Sequence, residues 1–156
     1  MRKCTMLTVA LMLLAVAARS AEHGDDARLS TPDTLKWQEG PKSIPPGAKL
    51  AVLEGDPAKD GPFVMRLLLP DGYKIPAHTH PKVERLTVIS GAFHIVMGDN
   101  LDPKTATKMP AGSFGYWPAG MKHIVWAEGE TVVQLHGIGP WSINYVNPAD
   151  DPRNKR

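Results

Sequence analysis

Cysteine is almost absent. The single one among 156 residues is Cys4, and it stands ahead of an apolar run over residues 6–18. A chain cut after that run carries no thiol. Disulfides are then excluded even in an oxidising compartment, as are Cys-rich structural zinc sites and iron–sulfur clusters. A lipid-anchored N-terminus is excluded too, because it needs a cysteine just after the apolar run. The run itself falls well short of the ~20 apolar residues that a membrane-spanning helix requires. No clustered basic patch exists for nucleic acid to contact. The formal +2 charge becomes −1 once Arg2, Lys3 and Arg19 are removed with the leader. Aromatic residues make up only 6% of the chain, and most are expected in packing. No stretch holds a sustained helical period, and there is neither an internal repeat nor a second domain.

What is present is a leader followed by strands and turns. Residues 1–20 combine a basic start at Arg2 and Lys3, the apolar run, and small residues at Ala18 and Ser20. That pattern reads as a cleaved signal peptide, with cutting expected after Ser20 or Ala21 and a periplasmic or secreted product. Residues 21–34 are polar and lack periodicity, and read as a flexible lead-in; His23 belongs to that solvated terminus. From Leu35 onward the pattern is all-β. Candidate strands are residues 35–37, 48–53, 63–69, 83–89, 92–97, 109–117, 123–126, 131–137 and 141–146. Gly and Pro signals recur between them at the spacing of a sandwich or barrel. Residues 99–108 form a polar loop or hairpin. One domain is expected over residues 35–147, with a frayed tail over 148–156.

Two stretches carry the chemistry. Residues 72–91 read GYKIPAHTHPKVERLTVISG and residues 112–123 read GSFGYWPAGMKH. His78 and His80 are two apart, so on a strand they leave the same face. Glu84 has that parity too, if the strand continues through Pro81. His123 follows the turn signal Pro118-Ala119-Gly120 and opens the apolar run Ile124-Val125-Trp126, so it starts another strand that can face the first. Imidazole nitrogen and carboxylate oxygen together suit a divalent first-row metal ion: Mn, Fe, Ni, Cu or Zn.

These residues resemble the motifs of the cupin superfamily. Its first motif is matched by Gly72, His78, His80, Glu84 and Gly91, and its second by Gly112, Pro118, Gly120 and His123. The second motif ends on Asn in the family, where this chain has Ala127. That Asn is not a metal ligand, so the ligand set is unaffected. The resemblance spans the middle third of the chain. It implies a jelly-roll double-sheet β-barrel with one metal ion inside, held by His78, His80, Glu84 and His123.

Pocket residues follow from parity. Leu86 and Val88 share the parity of His80 and Glu84, and Val125 lies beside His123. Over residues 131–137 either Gln134 and His136, or the alternating Val133 and Leu135, face inward; the polar pair would orient a ligand. Arg85 has the wrong parity for the site, and His94, among Phe93, Ile95 and Val96, reads as structural. The sequence shows no separate general base. Cupins of this motif class include dioxygenases, oxalate-degrading enzymes, isomerases and lyases. With the leader, the leading expectation is an exported metalloenzyme acting on a small organic molecule, with oxidative, dioxygenase- or oxalate-type chemistry first. The alternative is a cupin that binds metal or metabolite without turnover. A homodimer through outer strands is a further expectation from the family; no nucleic acid and, after cleavage, no membrane partner is expected.

Overall fold

The structure is a computed structural model and describes residues 27–155. The signal-peptide segment and residues 21–26 of the lead-in lie outside the described residues. The strands are β1 (Gln38–Glu39), β2 (Lys49–Glu54), β3 (Gly61–Leu69), β4 (Lys74–Thr79), β5 (Glu84–Met97), β6 (Thr107–Pro110), β7 (Phe114–Trp117), β8 (His123–Gly139) and β9 (Asn144–Tyr145). Among the described residues the helical elements are short 3₁₀ turns. Every strand pair is antiparallel. The sheet curls into the jelly-roll β-barrel that the motifs implied.

Strand β8 is the spine. Its C-terminal half pairs with β3, its N-terminal end with β4, and its length with β5. Alternation decides the faces. Along β3, Phe63, Met65, Leu67 and Leu69 are buried while Pro62, Val64, Arg66 and Leu68 are more exposed. Their cross-strand partners in β8 obey the same rule: Leu67 faces Val133 and Met65 faces Leu135. Burying these apolar faces supplies the main favourable free energy of folding.

Several strand expectations are corrected. The expected strands 83–89 and 92–97 merge into one 14-residue strand that begins only at Glu84, and residues 123–126 and 131–137 belong to one 17-residue strand. Glycine explains why the chain bends without breaking. The register shifts around Ser90 in β5, beside Gly91 at φ +74°, and Gly129 in β8 has φ +71°. Those conformations are costly for residues with a Cβ. Buried Thr131 ties the bend together, its hydroxyl accepting from the Ala92 N–H at 3.2 Å. Residues 109–117 are two short strands parted by a turn at Gly112, φ +87°. Residues 35–37 are not a strand, and only 144–145 of the span 141–146 pair. Residues 148–155, where fraying was expected, hold two 3₁₀ turns capped by Asn147 and Asp151. Arg153 pairs with Asp151 at 2.7 Å and donates to the Ile143 carbonyl at 3.1 Å, fastening the segment to the barrel.

Candidate metal centre

His78 sits on β4 and His80 just past its end. His123 opens β8, directly opposite His78 in the β4–β8 register. The turn before His123 is pinned to the same place: the Gly120 N–H donates to the His80 carbonyl at 2.9 Å. Glu84 arrives differently from the expectation of one continuous strand. The chain turns a corner at Pro81, Lys82 and Val83, and Glu84 is the first residue of β5, paired with Trp117. Its carboxylate nevertheless enters the same cavity.

The four side chains are buried, with His123 1% and Glu84 7% exposed. One ring nitrogen from each histidine lies within 4.8 Å of the others, so the trio can hold a metal ion. Glu84 Oε2 is 3.1 Å from His80 Nε2 and 3.7 Å from His123 Nε2.

The surroundings fix which nitrogen is which. His78 Nδ1 lies 2.7 Å from the Pro76 carbonyl, His80 Nδ1 2.7 Å from the Ser142 carbonyl, and His123 Nδ1 3.0 Å from the Met121 carbonyl. A carbonyl only accepts, so each Nδ1 carries the proton and donates it. Each Nε2 is then the ring nitrogen turned to the cavity, the arrangement a metal ligand needs. At His80 the Glu84 carboxylate 3.1 Å away favours a proton on Nε2 that an incoming ion would displace. Both oxygens of Glu84 are also engaged. Trp117 Nε1–H donates to Oε2 and Trp141 Nε1–H to Oε1, each at 3.0 Å.

Electrostatics follow from this crowding. Burial, then His123 and His80 beside it, push the His78 pKa down to about 3. Burial opposes the charge on Glu84, yet His80 and His123 together hold its carboxyl well below the usual range. Burial also opposes charging His80, but the Glu84 carboxylate outweighs it and raises the pKa. Three imidazoles and an ionised carboxylate in a buried site match the donor preference of a divalent first-row ion.

Beside the site lies an apolar cavity of about 30 Å³, with Leu67, Leu69, Ile75, Phe93 and Ile143 among its walls and neither Lys nor Arg in them. Leu86 and Val125 line it, as parity required. Val88 is buried but packs in the core away from the cavity. Gln134 and His136 do not line it either. Val133 and Leu135 take the inward positions, because only they match Leu67 and Met65 across the β3–β8 ladder. Gln134 instead accepts from Arg66 Nε at 3.0 Å, and His136 stacks near Phe114. Arg85 stands in register with Tyr116 and His136, with the parity opposite to Glu84. His94 pairs with Glu128 at 2.7 Å and stacks on Trp126, a structural arrangement as expected. Trp117 and Trp141 are the site residues that sequence reasoning passed over. The one available signal was the position of Trp117 immediately before the Pro118 turn.

The family described as "Domain of unknown function (DUF4437)" matches residues 32–154. No curated protein matches the chain. Among solved structures, an RmlC-like cupin from Shewanella frigidimarina NCIMB 400 shares 13% identity over 74% of this chain and 92% of its own, with TM-score 0.56. An acetylacetone dioxygenase from Acinetobacter johnsonii shares 15% identity over 85% of each chain, with TM-score 0.62. A polyketide cyclase from Streptomyces resistomycificus shares 15% over 81% of this chain and 90% of its own, also with TM-score 0.62. At such identities the shared property is the fold, and that fold is the cupin barrel.

Proposed function

The chain belongs to the DUF4437 family and has the cupin fold, and on that premise we propose an exported metalloenzyme that acts on a small oxygenated organic molecule. His78, His80 and His123 hold one divalent first-row ion, with Glu84 as the fourth ligand. The observation that carries the reading is the set of three Nδ1–H donations to backbone carbonyls, which turns three Nε2 atoms into one buried place. When bound, the metal supplies Lewis-acid and redox chemistry. The protein supplies the rest. Apolar walls exclude water and strengthen electrostatic interactions inside. Among the described residues lining the cavity, the ionised Glu84 carboxylate is the one side chain besides the histidines that can accept a substrate proton.

The walls favour one substrate class over another. A carboxylate substrate such as oxalate calls for a bidentate Arg, and the cavity wall has none. A neutral, ketone-like molecule suits it better, in keeping with the dioxygenase and cyclase among the structural neighbours. The cavity of about 30 Å³ has room for a water-sized molecule. Half-buried Trp141 lines the cavity and also a second pocket beside Lys82, Val83 and Pro140, so the two spaces share a wall.

The test is metal analysis of the full chain followed by dioxygen uptake with acetylacetone and related 1,3-dicarbonyls. His80→Ala removes a nitrogen donor and is expected to weaken metal binding by orders of magnitude and abolish uptake, whereas His94→Ala leaves metal content unchanged. A full equivalent of metal retained by the His80→Ala variant would refute the site. The second reading is a cupin that binds metal or metabolite without turnover; the smallness of the cavity favours it, and a fully loaded chain inert toward every substrate would establish it. Export is tested by mass spectrometry, with the mature N-terminus expected near Ala21 or Glu22. Homodimer formation through the outer face, where Phe114, Tyr116 and Ile138 are each more than half exposed, is tested by light scattering.

A further inference from the structure

The Glu84 carboxylate sits between two indoles that come from separate parts of the chain. Trp117 ends β7 and is 2% exposed. Trp141 follows β8, and its own backbone N–H is anchored on the Pro57 carbonyl at 2.6 Å. Each indole does two things. Trp117 donates to Oε2 and leans against His123, their ring centroids 5.2 Å apart; Trp141 donates to Oε1 and stacks on His80 at 5.5 Å. An indole N–H only donates and must find an acceptor when buried. Glu84 is that acceptor for both, so the carboxylate cannot turn about its last bond without orphaning a donor.

We propose that Trp117 and Trp141 are positioning residues of the metal centre that act through Glu84. Their two N–H groups aim the carboxylate so that Oε2 faces the histidines while Oε1 is held back against Trp141. This rests on the metal-site reading above. Outer partners of this kind orient ligands and tune affinity. A tryptophan that merely filled space would do its work through ring area, and phenylalanine would replace it.

The experiment has two arms on the full chain. In the first, metal-free ¹⁵N-labelled protein is examined by NMR. The indole N–H signals of Trp117 and Trp141, assigned with Trp117→Phe and Trp141→Phe, are expected downfield of those of Trp37 and Trp126, and upfield of that position in Glu84→Ala. In the second, Zn²⁺ affinity is measured by chelator competition. Trp141→Phe keeps a ring on His80 and is expected to weaken Zn²⁺ binding roughly 10- to 100-fold, the usual cost of losing an outer partner. The same change in a Glu84→Ala background is expected to have no further effect, since the residue through which it acts is gone. Equal losses in both backgrounds, or indole signals indifferent to Glu84→Ala, overturn the proposal while normal Zn²⁺ uptake by the wild-type chain leaves the metal reading standing. No Zn²⁺ uptake by the wild-type chain overturns both.

Discussion

At the residue scale the histidines are prepared by their own backbone. His78 and His123 each donate to the carbonyl two residues earlier, a local contact that a strand end makes easy; His80 reaches across to Ser142. Burial, with His123 and His80 alongside, makes neutral imidazole the state the fold prefers at position 78, whose pKa falls from 6.5 to about 3 although the Pro76 carbonyl favours the charged form. The sign of the consequence is fixed. An unfolded chain takes up a proton at His78 near pH 6.5, and the folded chain resists until about pH 3. Across that window the unfolded state binds more protons at this residue, so His78 lowers the stability of the metal-free chain as pH falls. His80 works oppositely: with its pKa raised, its contribution is fully present below 6.5 and fades as pH rises through the folded value. Glu84, with its pKa lowered, contributes above 4.5 and loses that as pH falls through its folded value. His78→Gln removes only the first effect. Urea midpoints of the metal-free variant are expected to decline less steeply than wild type between pH 6.5 and about 3; parallel declines would contradict the burial argument.

At the element scale the two long bent strands β5 and β8 bring Glu84 and His123 to His78 on β4 and His80 just past its end, and glycine sets the bend. Gly91 and Gly112 both have positive φ, but their surroundings differ. A Cβ on Gly91 would collide with the Thr131 hydroxyl and the Glu130 carbonyl, whereas one on Gly112 meets nothing within 4 Å. Gly112→Ala should cost only the left-handed penalty, about 1–2 kcal/mol. Gly91→Ala should cost clearly more, because backbone must move as well. Denaturant midpoints of the two variants check this, and equal losses would mean that the β5–β8 junction is softer than its packing indicates. The strands themselves were readable from alternation and turn residues. Their continuity was not, because a glycine between two apolar runs marks a loop and a bulge alike.

At the scale of the whole molecule the barrel and the metal are separable. The most deeply buried side chains include Met65, Leu69, Val88, Val133 and Ile143, and apolar packing of this kind needs no ion. Chelator-treated protein is expected to keep its β-type circular dichroism spectrum and a cooperative thermal transition, at a lower midpoint than the metal-loaded form by mass action. Collapse of the β signal on chelation would show instead that the ion organises the fold.

The sequence by itself determined the fold class and the residues that gather at the centre. Both rest on short-range properties: the period-two alternation of β3, the His78–His80 spacing, and the turn of Pro118 to Gly120 that delivers His123. The tertiary structure alone decided the rest. Parity says that Val133 and Leu135 share one face and Gln134 and His136 the other, but only pairing with Leu67 and Met65 says which face is inside. The two indole donors reach Glu84 across sequence separations of 33 and 57 residues. No local pattern encodes such contacts, because they exist only once the sheet has curled and brought the end of β7 and the segment after β8 to the same wall.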